Sequence, residues 1–328
     1  MGFRPRSLSD FHGGARLRRR LSLACLGCAT PLFLALLAVF PDGVERARPA
    51  VAISGQTTIV LLGTGTPAPD PDASGPATAI MVDQKLFIVD AGAGIMRRLT
   101  EARLDARLTA LFLTHLHSDH TLGYPDVIFT SWIMGRRDAL SVYGPPGLQQ
   151  MTAHIYRAWS EDIRVRIQGL EREPEAGSRV SVHEIHPGIA YDQGGVRVTA
   201  IPVLHGNWKQ AYGFRFDTPT RSITISGDTR PCEALVKGAQ GTDVLIHEVY
   251  AQQSSAPENR PGGEFWPQYL REFHTSAREL GALAVRVNPR LLILTHVVGK
   301  IPDEELVKQV RAGGFNGPVA VGKDLQRY

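Results

Sequence analysis

A single mixed α/β domain is the fold this chain predicts, and three observations carry that expectation. Strand-like and helical runs alternate along the sequence. Beyond an N-terminal segment about 278 residues remain, enough for a two-layer core in one domain. Each cluster of histidines and carboxylates also falls just past a β-branched or Leu-rich run, on what would be one edge of a sheet. Mixed order of this kind argues against an all-β or all-α chain and is consistent with an αβ/βα sandwich. The sequence shows no internal repeat and no low-complexity tract.

Residues 1–50 are different in kind. Arg16, Arg18, Arg19 and Arg20 precede an apolar stretch from Leu21 to Phe40, and Pro41-Asp42-Gly43 follows. This reads as an export signal, with Arg19-Arg20-Leu21-Ser22-Leu23 as a loose twin-arginine pattern. A stretch of about 20 residues is also long enough to remain as a membrane anchor. Either reading puts the domain at 51–328 outside the cytoplasm, periplasmic, secreted or anchored, with membrane contact only through this segment. Of the 36 basic and 32 acidic residues, eight and three lie in the first 50, so 28 basic face 29 acidic residues in the rest. A near-neutral domain does not point to a polyanionic partner. Cys25 and Cys28 sit inside the apolar segment, and Cys232 alone follows it, so the domain has no internal disulfide.

The domain begins with the strand-like run Thr58–Leu62. The glycines of Leu62-Gly63-Thr64-Gly65-Thr66 lack the third member of a dinucleotide fingerprint, and Pro67 and Pro69 stand where a helix should begin. They read as a tight turn that leaves the first strand and helps line the site. Strands follow at Thr78–Val82 and Leu86–Val89, a helix at Ile95–Ala102, a buried strand at Leu108–Leu113 and a helix at Gly147–Trp159. The second half gives strands at Val196–Val203, Tyr212–Phe216, Ile223–Ser226, Val244–His247 and Leu291–Leu294. Its helices fall at Cys232–Gly238, Ser276–Val287 and Asp303–Gly313.

Thr114-His115-Leu116-His117-Ser118-Asp119-His120 closes the fourth of these strands. His115 and His117 alternate to one side of extended chain, and Asp119 and His120 sit at its turn, so nitrogen and oxygen donors can converge on a pair of borderline metal ions. His205, Asp228 and His296 each follow a later strand. Scattered structural histidines would have no reason to fall at such positions. Two cations about 3.5 to 4 Å apart share a water, lower its pKa and polarise the substrate oxygen, so no Ser or Cys nucleophile is needed. A metal-free binding protein is the reading this set of donors disfavours.

With these motifs in view the chain resembles the metallo-β-lactamase-fold hydrolases, and within them it is most similar to the ribonuclease Z and arylsulfatase-like branch. The match runs from about Thr57 to the C-terminus. It includes Leu-Gly-Thr-Gly-Thr-Pro at 62–67, Val-Asp-Ala-Gly at 89–92, the histidine cluster, Tyr-Gly-Pro-Pro-Gly at 143–147, Gly227-Asp228, Ile-His-Glu at 246–248, His274-Thr-Ser and Thr295-His296. The resemblance implies a four-layer αβ/βα sandwich of mixed β-sheets flanked by helices. It also implies two ions, zinc most often although manganese and iron occur. His115, His117 and His205 would hold one ion, Asp119, His120 and His296 the other, and Asp228 would bridge them. Asp119 would also accept the proton of the attacking water, and dimers are frequent in the family.

The resemblance further pairs Glu248 with His274, the imidazole serving as general acid; a carboxylate that orients a histidine and raises its pKa is sound acid catalysis in its own right. His274 could instead cap the helix that follows it. Asp90 is expected to brace a ligand histidine, and His247 to be structural. Trp208, Trp132, Tyr250 and Phe265-Trp266 could line an apolar pocket or simply pack the core. Ribonuclease Z commonly clamps transfer RNA with a Gly- and Pro-rich arm, and the region from Ala158 to Val196 is too short for one. A neutral surface, an export signal and a missing arm together favour an extracytoplasmic hydrolase of a small ester: a phosphodiester, an aryl sulfate, or a carboxylic ester or lactone. They make nucleic acid an improbable partner. The alternatives are a ribonuclease Z-like RNA phosphodiesterase and a mono-iron redox enzyme of the sulfur dioxygenase type.

Overall fold

Strands that are apolar at every position need cover on both faces, and the first strand shows how the fold supplies it. Ile59 and Leu61 enter one cluster of buried side chains while Val60 and Leu62 enter another, and all four are fully buried. The structure, a computed structural model, describes residues 56–104 and 107–328. The export signal or anchor expected over 1–50 lies outside the described residues. Among the described residues no helix is long and apolar enough to cross a membrane.

In chain order the first half contains β1 (Thr57–Gly63), β2 (Ala77–Val82), β3 (Lys85–Val89), α1 (Ile95–Glu101), β4 (Arg107–Phe112), α2 (Ser118–Thr121), α3 (Tyr124–Ile133), β5 (Leu140–Gly144), α4 (Leu148–Ala158), α5 (Ser160–Gln168), α6 (Glu175–Ser178) and β6 (Val180–Glu184). The second half contains β7 (Gly188–Gln193), β8 (Val196–Pro202), β9 (Tyr212–Asp217), β10 (Ser222–Ile225), α7 (Glu233–Ala239), β11 (Val244–Tyr250), α8 (Trp266–Phe273), α9 (Ala277–Val287), β12 (Leu291–Val298), α10 (Asp303–Ala312) and β13 (Val319–Val321).

Among the described residues the strands form two sheets, ordered β1-β2-β3-β4-β5-β6 and β13-β12-β11-β10-β9-β8-β7. Each is antiparallel at one side and parallel at the other. Pairing turns parallel from β3 onwards in the first sheet and from β10 onwards in the second. The sheets face each other across a core in which Phe112 meets Phe214 and Phe216 edge-on, with ring centres 5.4 and 5.5 Å apart. The outer face of the first sheet packs on α1, α3 and α4, and that of the second on α7, α9 and α10. The expected αβ/βα sandwich is therefore present, in four layers.

Sequence reasoning missed several elements, and burial explains which. β6 and β7 are edge strands with mostly exposed or half-exposed side chains, so they show no apolar run. α3 opens with Tyr124-Pro125, where proline occupies the first helical turn and reads as a break although it is tolerated there. The last residues form a tie. After β13 the chain crosses to the free edge of β1, where Ile59 and Tyr328 exchange backbone hydrogen bonds at 3.0 Å and Leu61 N–H donates to Gln326 C=O at 3.1 Å.

Candidate metal centre

The site lies at the carboxyl ends of strands from both sheets. β4 ends at Phe112, Leu113 to Leu116 connect it to α2, and that helix has His117 as its N-cap and Asp119 and His120 in its single turn. From the facing sheet, His205 follows β8, Asp228 follows β10 and His296 lies within β12. The Tyr212 N–H donates to the Thr114 carbonyl at 2.9 Å, joining the sheets beside the site. Gly227, with φ +59°, lets Asp228 turn inward. A β-carbon there would stand 2.7 Å from the Tyr212 carbonyl and 3.0 Å from Thr114 Cβ.

Donor atoms of His115, His117, His205 and Asp228 lie within 4.8 Å of one another, as do those of Asp119, His120 and His296. Asp228 Oδ2 reaches both groups. It is 4.0 Å from His115 Nε2 and 3.9 Å from His205 Nε2 on one side, and 3.4 Å from His120 Nε2 and 3.6 Å from His296 Nε2 on the other. Asp119 Oδ2 stands 3.2 Å from His296 Nε2 and 3.5 Å from His120 Nε2. All seven predicted ligand candidates therefore meet in one place, in the two predicted groups with Asp228 between them.

The hydrogen bonds outside the cluster fix which nitrogen faces in. His120 Nδ1–H donates to Asp90 Oδ2 at 2.8 Å, as expected for Asp90, which leaves the Nε2 lone pair directed at the carboxylates. The same carboxylate accepts from Thr114 N–H and Oγ1–H, so Thr114 Oγ1 can only accept from His115 Nδ1–H at 3.0 Å. His205 Nδ1–H donates to the Phe273 carbonyl at 2.8 Å. Three histidines are thereby held with Nδ1 on its outer partner and Nε2 pointing inward. His117 differs. Trp208 Nε1–H donates to its Nε2 at 2.7 Å, while its Nδ1 sits 2.9 Å from His115 Nε2 and 3.0 Å from His205 Nε2.

Electrostatics agree with a cation site. Burial drives His115 well below its ordinary pKa and brings His117 and His205 to about 4, so all three are uncharged at neutral pH. Burial alone would raise Asp228 and Asp119. The neighbouring histidines more than reverse this, with His296 and His120 holding Asp228 well below the usual carboxylate range. His120 is pushed well above its ordinary value, the charges of Asp228 and Asp90 outweighing burial. His120 Nε2 is also buried without a hydrogen-bond partner. Two carboxylates thus call for positive charge at a buried nitrogen that has no hydrogen-bond partner, and a metal ion can supply that charge in place of a proton.

Beside this cluster Glu248 is 1% exposed, not a solvated loop residue. Its Oε1 accepts from Thr229 N–H at 3.2 Å and Thr275 N–H at 3.0 Å, and its Oε2 faces His274 Nδ1 at 3.4 Å. His274 does not cap α9. That role falls to Ser276, which makes a capping box with Glu279. His274 Nε2 is 3.4 Å from the hydroxyl of Tyr269, a neighbour that no sequence motif marked. His247 is fully buried with its Nδ1–H on the Glu248 carbonyl, a structural role as expected. Of the aromatic candidates Trp208 reaches the cluster, whereas Trp132 is buried with its N–H on the Pro174 carbonyl and Tyr250 packs in the interior. Trp266 stacks on Tyr269.

Comparison with known proteins agrees with the geometry. The model of the β-lactamase superfamily domain matches residues 86–297, a span that includes the whole cluster. A ribonuclease Z of Mycobacterium bovis (strain BCG / Pasteur 1173P2) is 35% identical over 277 residues, covering 82% of this chain and 96% of its own. The metallo-β-lactamase-fold protein YhfI of Bacillus subtilis superposes with a TM-score of 0.63 at 17% identity, over 83% of this chain and 98% of its own. Short-form human tRNase Z gives 0.62 at 21%, over 83% and 98%. These likenesses correct the sequence reading at one point. The likeness to ribonuclease Z overturns both the preference for an extracytoplasmic small-ester hydrolase and the expectation that nucleic acid is an improbable partner; the arylsulfatase-like and periplasmic readings gain no support. The error was physical. A net charge sums over a whole surface, whereas cleavage of a nucleic acid needs only local cationic charge at the scissile phosphate. The chain belongs to the β-lactamase superfamily and, within its metallo-β-lactamase-fold hydrolases, to the ribonuclease Z family.

Proposed function

We propose that this protein is a ribonuclease Z-type phosphodiesterase that cleaves RNA at a centre of two divalent cations, zinc first among them. The observation that carries the reading is the likeness to a ribonuclease Z across 96% of that protein. The two donor groups that share Asp228 support it chemically. His115, His117 and His205 would hold one ion, Asp119, His120 and His296 the other, and Asp228 both.

When bound, such a pair supplies Lewis-acid charge at the phosphate and a lowered pKa for an attacking water. The chain's own groups do the rest. Asp119 accepts the proton of the water. His274 donates from Nε2 to the departing ribose oxygen, and the Glu248 carboxylate, 3.4 Å from Nδ1, favours the charged imidazolium that does so. Thr229 and Thr275 hold Glu248 still.

The test is zinc-dependent cleavage of a transfer-RNA precursor carrying a 3′ extension, beside Asp119→Ala. A cut at one site, abolished in the variant, is the expected result. Intact RNA together with rapid hydrolysis of an aryl phosphodiester would refute the proposal.

A further inference from the structure

β12 leaves its ladder with β11 at one residue. Glu248 pairs with Thr295 and Val249 with Val297, so His296 is the extra residue of a bulge, and its φ is +46°. A bulge frees a residue from the ladder and re-aims its side chain. Left-handed backbone is disfavoured for a residue with a β-carbon, so this conformation persists only where neighbours hold it. The freed N–H of His296 donates to the Thr64 carbonyl at 3.1 Å, and the imidazole turns to Asp119 and Asp228.

Thr64 is held in its turn. Its N–H and Oγ1–H donate to Asp324 Oδ1 at 2.8 and 2.9 Å. Asp324 Oδ2 accepts from Ser74 N–H at 2.8 Å and lies 3.2 Å from Arg98 Nε. The Gly65 N–H donates to the Ser74 carbonyl at 2.8 Å and closes the loop. The Asp324 side chain is 5% exposed, so its carboxylate is committed to these partners and not to water.

We propose that Asp324 is a positioning residue for the metal centre: through Thr64 it holds the bulge that aims His296, and so sets the ion affinity of the Asp119, His120 and His296 group without touching an ion. The inference rests on these side chains holding metal. A latch that merely joined the tail to the 64–75 loop would stabilise the fold and leave ion binding unchanged.

Zinc titration of the full chain against a competing chromophoric chelator separates the two binding steps, and His296→Ala identifies the step in question. Asp324→Ala is expected to weaken that same step by roughly 10-fold or more, the scale at which outer partners act on metal ligands, and to leave the other unchanged. Asp324→Asn, whose amide oxygen can still accept from Thr64, should recover much of the loss. Arg98→Ala, which cuts the ion pair and no bond to Thr64, should match the parent. If Asp324→Ala fails to fold, Thr64→Val removes the hydroxyl bond alone and should weaken the same step by a smaller factor. Unchanged zinc steps with a lower melting temperature, or equal weakening of both steps, would overturn the proposal. No effect of His296→Ala on either step would overturn the metal assignment as well.

Discussion

Asp90 shows how much of this site depends on one side chain. Its carboxylate fixes His120 directly and His115 through Thr114, so one residue sets the protonated nitrogen of two donors from opposite groups. Glu248 does the same for His274, with a consequence for pH. Burial pulls the His274 pKa down, but the Glu248 carboxylate 3.4 Å from Nδ1 more than reverses it, and the net shift is upward. A proton donor works while protonated, so the rate falls as pH rises through this pKa. Glu248→Gln removes the charge and should move the alkaline limb of the kcat/KM profile to lower pH, with a loss at neutral pH on the order of 100-fold and no change in bound metal. An alkaline limb that stays in place would show that His274 is not the donor. The histidines and acids of this centre were legible because their spacing and their position after strands are visible locally. Thr64 and Asp324 were not, since they sit 260 positions apart and act partly through backbone groups.

Among the elements, several strands buried on both faces could be read and the exposed strands β6 and β7 could not, although β5, buried inside the first sheet, was missed as well. β1, β4 and β11 carry the apolar runs Ile59–Leu62, Ala110–Phe112 and Val244–Ile246 because helices cover one face and the opposite sheet the other. β6 and β7 carry no such signal, and α5 has no fully buried residue, with Ile163 and Ile167 only partly buried against the core. α9 is the opposite case. Its span from Ser276 was read, but its cap was not, the candidate there being His274; the structure supplies a capping box instead, in which Ser276 Oγ accepts from Glu279 N–H at 3.3 Å and Glu279 Oε2 accepts from Ser276 N–H at 3.1 Å. Ser276→Ala should cost about 1 kcal/mol in denaturant unfolding, with zinc content unchanged. A loss near zero would mean that Glu279 alone secures the helix start.

At the level of the whole molecule, the centre is shared between halves of the chain. His115, His117, Asp119 and His120 follow a strand of the first sheet, while His205, Asp228 and His296 come from the second. Ions bound here would favour the folded state over the unfolded chain, by about 1.4 kcal/mol for each tenfold excess of free ion over its dissociation constant. Addition of a strong chelator should therefore lower the thermal midpoint, and readdition of zinc should restore it; a midpoint indifferent to both would refute tight binding at this site. The division between sheets also sets an order of events during synthesis. In chain order His205 and Asp228 come well after the Thr114–His120 segment, and His296 and the tie of Tyr328 to β1 come later still. A nascent chain thus exposes its richest cluster of histidines early, yet cannot assemble a complete set of donors until β12 has been made. Fragments that stop short of His296 would therefore leave the ribosome unable to hold the pair.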